Sequence, residues 1–235
     1  MDSQTRHALK QDKFVQATKG GVSWVEDNRS SVIRLSVIGV LILAVIIGGA
    51  IFYSNRTHAA ENALGAALDV YSAPLLQPGQ PAEAGIYATA AERAKAANAQ
   101  FVQVASQYGW LPEGGKAHYF AGLTYQDLGQ TASAEAELKK AADSYNSDLS
   151  TLGKFALAGF YHQTGRDSQA IDLYNQVAAK PSAAVPAYTA QLALANLYAT
   201  TGKTEQAKQI WAKVKDADKT GSAGSIAAEK LTAKN

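Results

Sequence analysis

Three times between residues 115 and 218 the chain repeats one spacing: tyrosine, glycine four residues on, alanine five after that, then a large apolar residue and a small or branched one. A shift of 36 carries Tyr125, Gly129, Ala134, Leu138 and Ala141 onto Tyr161, Gly165, Ala170, Tyr174 and Val177. A shift of 37 carries the second set onto Tyr198, Gly202, Ala207, Trp211 and Val214. Self-similarity at such a period means a supersecondary unit stacked on copies of itself. The spacing specifies a helical hairpin: the tyrosine near the end of one helix, the glycine as a left-handed cap, and Thr131, Asp167 or Thr204 capping the next helix. Ala134, Ala170 and Ala207 fall where the two helices cross most closely, and Leu138, Tyr174 and Trp211 fill the groove toward the neighbouring unit.

Gly122, Ala158 and Ala195 supply a small residue three before each tyrosine, and Ala121, Leu157 and Leu194 the apolar residue before that. The whole ladder resembles the tetratricopeptide repeat, a helix-turn-helix unit of about 34 residues. The departures are the longer periods and His118, Lys154 and Gln191 where that family often has tryptophan. Tyr145-Asn146-Ser147 and Lys180-Pro181-Ser182 are suited to the longer inter-repeat loops. The repeats are expected near 115–148, 151–184 and 188–218. A degenerate hairpin over 59–110 precedes them, with Ala63, Leu64, Ala67, Leu68 and Tyr71 on one helix and Ala94, Ala97, Phe101, Val104, Ala105 and Tyr108 on the other. Between these, residues 73–86 hold Pro74, Pro78 and Pro81 and read as an inserted loop. The segment 219–235 reads as a flexible break, Lys219 to Ser225, and a capping helix from Ile226 to Ala233 that covers the apolar end of the stack. The expected fold is all-α, a solenoid of about four hairpins over 56–218.

Upstream, Leu35 to Tyr53 is a run without a charge or a proline, bounded by Arg34 and Arg56. At about 1.5 Å per residue this helix covers roughly 28 Å, close to a bilayer core, so 35–55 reads as one transmembrane anchor. Lys19, Arg29 and Arg34 lie before it and only Arg56 lies close after it, which predicts a cytoplasmic N-terminus, with Trp24 and Tyr53 as interfacial residues. A cleaved signal peptide competes, and His58-Ala59-Ala60 offers small residues. The long charged region ahead and the length of the apolar core favour an uncleaved anchor. Ala44 and Gly48 form a small-xxx-small pair that allows a homodimer seam.

Residues 1–34 are read as a cytoplasmic tail with a short helix over 6–18, a hinge at Gly20-Gly21 and a second polar patch at Glu26-Asp27-Asn28-Arg29. Either this tail only sets topology or it docks a partner. It holds six Lys/Arg against four Asp/Glu, whereas residues 54–235 hold sixteen of each. A neutral repeat domain gives no electrostatic reason to expect nucleic acid.

Little catalytic chemistry is legible. The chain has no cysteine, and its histidines, His7, His58, His118 and His162, show no metal-ligand spacing. Gly202-Lys203-Thr204 lacks the upstream glycine of a phosphate loop, since Leu197 stands there. No metal, cofactor or enzyme activity is expected, and His118 and His162 read as structural.

The resemblance to tetratricopeptide repeats implies a protein-binding groove on the first helices. The family's groove positions fall on Lys116, Tyr119, Leu123 and Gln126, on Leu152, Phe155 and His162, and on Leu192 and Asn196. Only Asn196 is of the kind used to clamp a C-terminal carboxylate, so a hydrophobic peptide or partner helix fits better, unless the chain's own segments fill the groove. Finally, a short tail, one anchor and a small repeat domain, led by Leu9-Lys10-x-Asp12-x-Phe14-Val15 and Trp24, resemble the bacterial ancillary SecYEG translocon subunit family. That resemblance implies an inner-membrane protein with a periplasmic repeat domain, whose partners are translocon subunits, a periplasmic chaperone or an emerging polypeptide. A structural scaffold of envelope or division machinery is the alternative it leaves.

Overall fold

The computed structural model describes residues 24, 25, 27–77 and 85–233. The anticipated tail helix over 6–18, the Gly20-Gly21 hinge, Glu26, Pro78 and Pro81 lie outside them. The chain divides into two compact units, Met1–Asn55 and Arg56–Asn235.

Among the described residues the secondary structure is nine α-helices, with one isolated bridge, Leu75 to Tyr87, in the loop after the first. Helix α1 runs Arg29–Ser72, 44 residues, and the boundary between the two units falls inside it. The sequence reading had separated the anchor from the first repeat helix. Ser54 to His58 is polar but contains neither proline nor glycine, so nothing there interrupts the hydrogen-bond ladder. In the first unit the apolar stretch of α1 has a mean hydropathy of 2.8 with none of it buried. By length and composition it is able to cross a membrane.

The second unit contains the end of α1, then α2 (Ala90–Tyr108), α3 (Pro112–Asp127), α4 (Thr131–Ala142), α5 (Ser147–Gln163), α6 (Asp167–Ala179), α7 (Ala187–Thr200), α8 (Thr204–Ala217) and α9 (Ser222–Thr232). From α2 onward each helix packs on the next, so the fold is an antiparallel solenoid of hairpins α3–α4, α5–α6 and α7–α8. The end of α1 packs on α2 as a further hairpin: Ala60, Leu64 and Ala67 bury against Ala97 and Phe101. Tyr71 meets Phe101 edge-on at 6.0 Å, and the Arg93 guanidinium donates to the Ala73 carbonyl at 2.9 Å. The loop between them is pinned at its base, where the Leu76 N–H donates to Tyr87 O at 2.8 Å.

The repeated tyrosine–glycine spacing is the signature of a helix terminus. The N–H groups of Gln130, Arg166 and Lys203 donate to the carbonyls of Tyr125, Tyr161 and Tyr198 at 2.9, 2.7 and 2.8 Å. Those of Gly129, Gly165 and Gly202 donate to Gln126, His162 and Ala199 at 2.9, 3.0 and 3.3 Å. This is the Schellman arrangement, which requires a left-handed residue before its last donor, and the three glycines have φ of 69°, 76° and 78°. The expectation that Thr131, Asp167 and Thr204 cap the following helices is corrected. The N-cap residues are Gln130, Arg166 and Lys203, one earlier, and no side chain makes the cap bond. The turn is so short that the residue closing one helix is also the N-cap of the next, and glutamine, arginine and lysine at that place lack the short oxygen-bearing side chain a cap bond needs.

At the crossing points Ala134, Ala170 and Ala207 are fully buried, as are Ala121, Ala158 and Ala195. Leu138 sits over Gly122, where an added β-carbon would lie 2.6 Å from its Cγ. Gly153 approaches α4 more closely: a β-carbon there would lie 2.5 Å from the Ala142 nitrogen. The anticipated flexible break over 219–225 is also corrected. Helix α9 begins at Ser222, because the Asp218 carboxylate accepts from Gly224 N at 3.0 Å and folds the chain back. Ala227 then covers Trp211, Val214 and Ala195 at the end of the stack.

Candidate functional site

The nine predicted groove residues fall on the first helix of each hairpin, α3, α5 and α7. Tyr119, Leu123 and Phe155 are brought together against one apolar cluster that includes Leu157, Tyr161 and Leu194. Leu152 packs with Val177, Val185 and Ala190, and Leu192 with the Trp211 cluster. Tyr119 and Phe155 are half-buried, edge-on to Phe120 at 5.2 Å and to Tyr174 at 5.4 Å. Burial also pushes the Tyr119 phenol up from its ordinary range. The exposed members are Lys116, 3.5 Å from the Glu113 carboxylate, and Asn196, while Gln126 is half-buried. Most apolar residues of the predicted groove therefore serve the solenoid's own packing, and their outer edges remain as contact surface.

His162 is fully engaged: its Nδ1 lies 2.6 Å from the Asp167 carboxylate and its Nε2 lies 3.3 Å from Thr200 Oγ1, linking α5, α6 and α7. His118 Nδ1 contacts the Glu137 carboxylate, which also accepts from Lys140 at 2.8 Å. Burial alone would raise the Glu137 carboxyl, but the bonds from His118 and Lys140 more than offset it and hold it below its ordinary value. No group of three potential metal ligands occurs among the described residues.

Of the membrane-flank residues, Trp24 and Tyr53 are exposed. Arg56 instead turns onto α2, its guanidinium 5.0 Å over the Tyr108 ring and donating to Gln107 O at 3.5 Å. Ala44 and Gly48 are exposed, with nothing within 4 Å of a β-carbon built on Gly48.

Two features escaped sequence reading. One is Glu135 on α4, which accepts from Lys139 and Arg166 at 2.7 Å each and from Tyr161 at 3.1 Å. The Lys139 bond first, then Arg166 and Tyr161, lower its carboxyl to about 2. Lys139 is a local partner four residues away, but Arg166 and Tyr161 lie 31 and 26 residues away, so no local pattern announces the whole cluster. The other is a set of cavities between the start of one helix and the end of its hairpin partner. Their signal was present in the sequence, as a small residue at 151 and no tryptophan at 118 and 154.

The comparisons agree with this architecture. Residues 115–148 match the tetratricopeptide repeat family model. A solved structure of nearly identical TPR-like repeats, from a Podosopora anserina chain described as a kinesin light chain, is similar at 19% identity and a TM-score of 0.50. The match covers 60% of this chain and 76% of that one, and it establishes the fold alone. No curated protein matches the chain.

Proposed function

We propose that the chain is a membrane-anchored adaptor that binds other proteins through its tetratricopeptide-like solenoid and performs no catalysis. One observation carries the anchoring: the apolar part of α1 is exposed along its length, from Leu35 to Tyr53. At about 25 cal/mol per Å² of apolar surface, a helix of that composition is strongly driven out of water and into a bilayer. Lys/Arg placement before the span supports a cytoplasmic N-terminus, with the repeats on the opposite side. The solenoid supports protein binding, since stacked hairpins offer an extended surface and few convergent reactive groups.

The finer reading is an inner-membrane protein of bacteria, ancillary to the SecYEG translocon. Span and tail dock the channel, and the periplasmic repeats hold a chaperone or an emerging chain. The support is the order of tail, span and repeats together with the residues leading to Trp24. Co-purification from gently solubilised membranes tests it: translocon subunits recovered with the full chain support it, and their consistent absence contradicts it. A fluorescent fusion concentrated at the septum would instead favour the division scaffold.

A further inference from the structure

Two surface cavities of the repeat unit occupy the same place in successive hairpins. One, of about 480 Å³, opens between the start of α3 and the end of α4, where Leu111, Gly115, His118, Lys140, Ser144 and Tyr145 line it. The other, of about 410 Å³, opens between the start of α5 and the end of α6, against Ser147, Thr151, Lys154, Gln176, Lys180 and Pro181. Adding the repeat shift of 36 to each residue of the first set gives the corresponding residue of the second. The mouths of these hairpins are thus held apart by the fold itself and repeat with it.

Their side chains explain why they are unfilled. Thr151 is small, and His118 and Lys154 stand where similar repeats often carry a tryptophan. In the third hairpin the residue equivalent to Thr151 is Tyr188, which packs against the Trp211 cluster. The two mouths also differ in chemistry. The α3–α4 mouth is rimmed by Trp110, 57% exposed, and by fully exposed Tyr145. The α5–α6 mouth contains Lys154 and Lys180 and no carboxylate. Among the described residues neither lysine makes an ion pair or a side-chain hydrogen bond. Asp148, beside that mouth in sequence, accepts from the Ala183 N–H at 3.1 Å.

We propose that the two mouths form one docking surface for an extended acidic peptide segment of a partner protein. An apolar side chain of the segment enters the α3–α4 mouth beside Trp110 and Tyr145, and a neighbouring carboxylate meets Lys154 and Lys180. Uncompensated ammonium groups at a cavity favour an anionic occupant, and exposed aromatic rings at its rim favour an apolar one. This surface uses residues 115 and 118 of α3, not the face of Lys116, Tyr119 and Leu123 assigned to the groove. It rests on the adaptor reading in that both require a protein partner.

The test is fluorescence anisotropy on the full chain in detergent, with a short fluorescein-labelled peptide of alternating glutamate and phenylalanine. Saturable binding is expected, weakened about tenfold or more by the pair Lys154→Glu and Lys180→Glu. Filling the α5–α6 mouth with Lys154→Trp should also weaken binding about tenfold while leaving the melting temperature equal or higher, which separates lost docking from lost folding. Gln209→Ala, at an exposed position of α8, should change nothing. Absence of binding, equal affinity across the mouth variants, or equal binding of a glutamine-for-glutamate peptide would overturn the proposal. Each of these leaves the groove reading to its own cross-linking test.

Discussion

Arg166, in the turn between α5 and α6, reaches back 2.7 Å to the Glu135 carboxylate on α4, and its guanidinium lies 4.3 Å over the Tyr161 ring. One hairpin is thereby tied to the next by a carboxylate that collects three donors. Because the carboxyl is lowered from 4.5 to about 2, it releases its proton more readily in the folded chain than in the unfolded one. Its contribution is fully present above pH 4.5 and is lost as the pH falls toward 2. Glu135→Gln is predicted to cost about 1 kcal/mol near neutral pH, a small value because the group is partly exposed. It should also flatten the acid limb of the stability profile, as followed by thermal melts between those pH values.

Gly153 and Gly159 lie on the same helix and should respond oppositely to alanine. At Gly153 the new carbon meets the backbone of Ala142, which cannot move without displacing α4, and a loss of about 2 kcal/mol or more is expected. At Gly159 the nearest atom is the Tyr174 hydroxyl at 3.6 Å, so the gain in helix propensity prevails and stability rises by about 0.5 kcal/mol. Denaturant titration of both variants measures the contrast.

Gly165→Ala places a β-carbon at φ 76° and should cost about 1–2 kcal/mol, with Gly165→Asn closer to the parent because asparagine tolerates the left-handed region. Space is not the cause, since nothing lies within 4 Å of that carbon. Equal melting temperatures for all three proteins would show that the Schellman turn does not need glycine.

The absence of cysteine makes topology directly measurable. With Ser168→Cys, at an exposed position of α6, a membrane-impermeant maleimide should label the chain from the extracytoplasmic side, and the protein should stay with the membrane after alkaline washing. Labelling only after the membrane is broken would reverse the orientation.

Much of this fold is legible in the chain because its determinants are local. Tyr125, Gly129 and Gln130 define a helix end within six residues, and Ala134 follows from the crossing that end imposes. Continuity of α1 was harder to see, because Ser54 to His58 looks like a linker in composition yet contains nothing that breaks a helix. The start of α9 was hidden for the opposite reason: Gly221 and Gly224 look like a break, and only the Asp218 carboxylate turns them into a helix start. The expected groove residues lie on the first helices, but the share of Tyr119 and Phe155 taken up by internal packing depends on neighbours such as Phe120 and Tyr174. The paired mouths required both repeat register and packing before a missing tryptophan acquired meaning.

Binding of a protein partner by the solenoid is the central claim, and cross-linking in intact membranes tests it most directly. A photo-reactive residue at Lys116 or Asn196, the exposed members of the predicted groove, should trap a distinct second protein, with little product from the same probe at Lys213 on α8. Intramolecular products alone, from both groove positions, would contradict the adaptor reading.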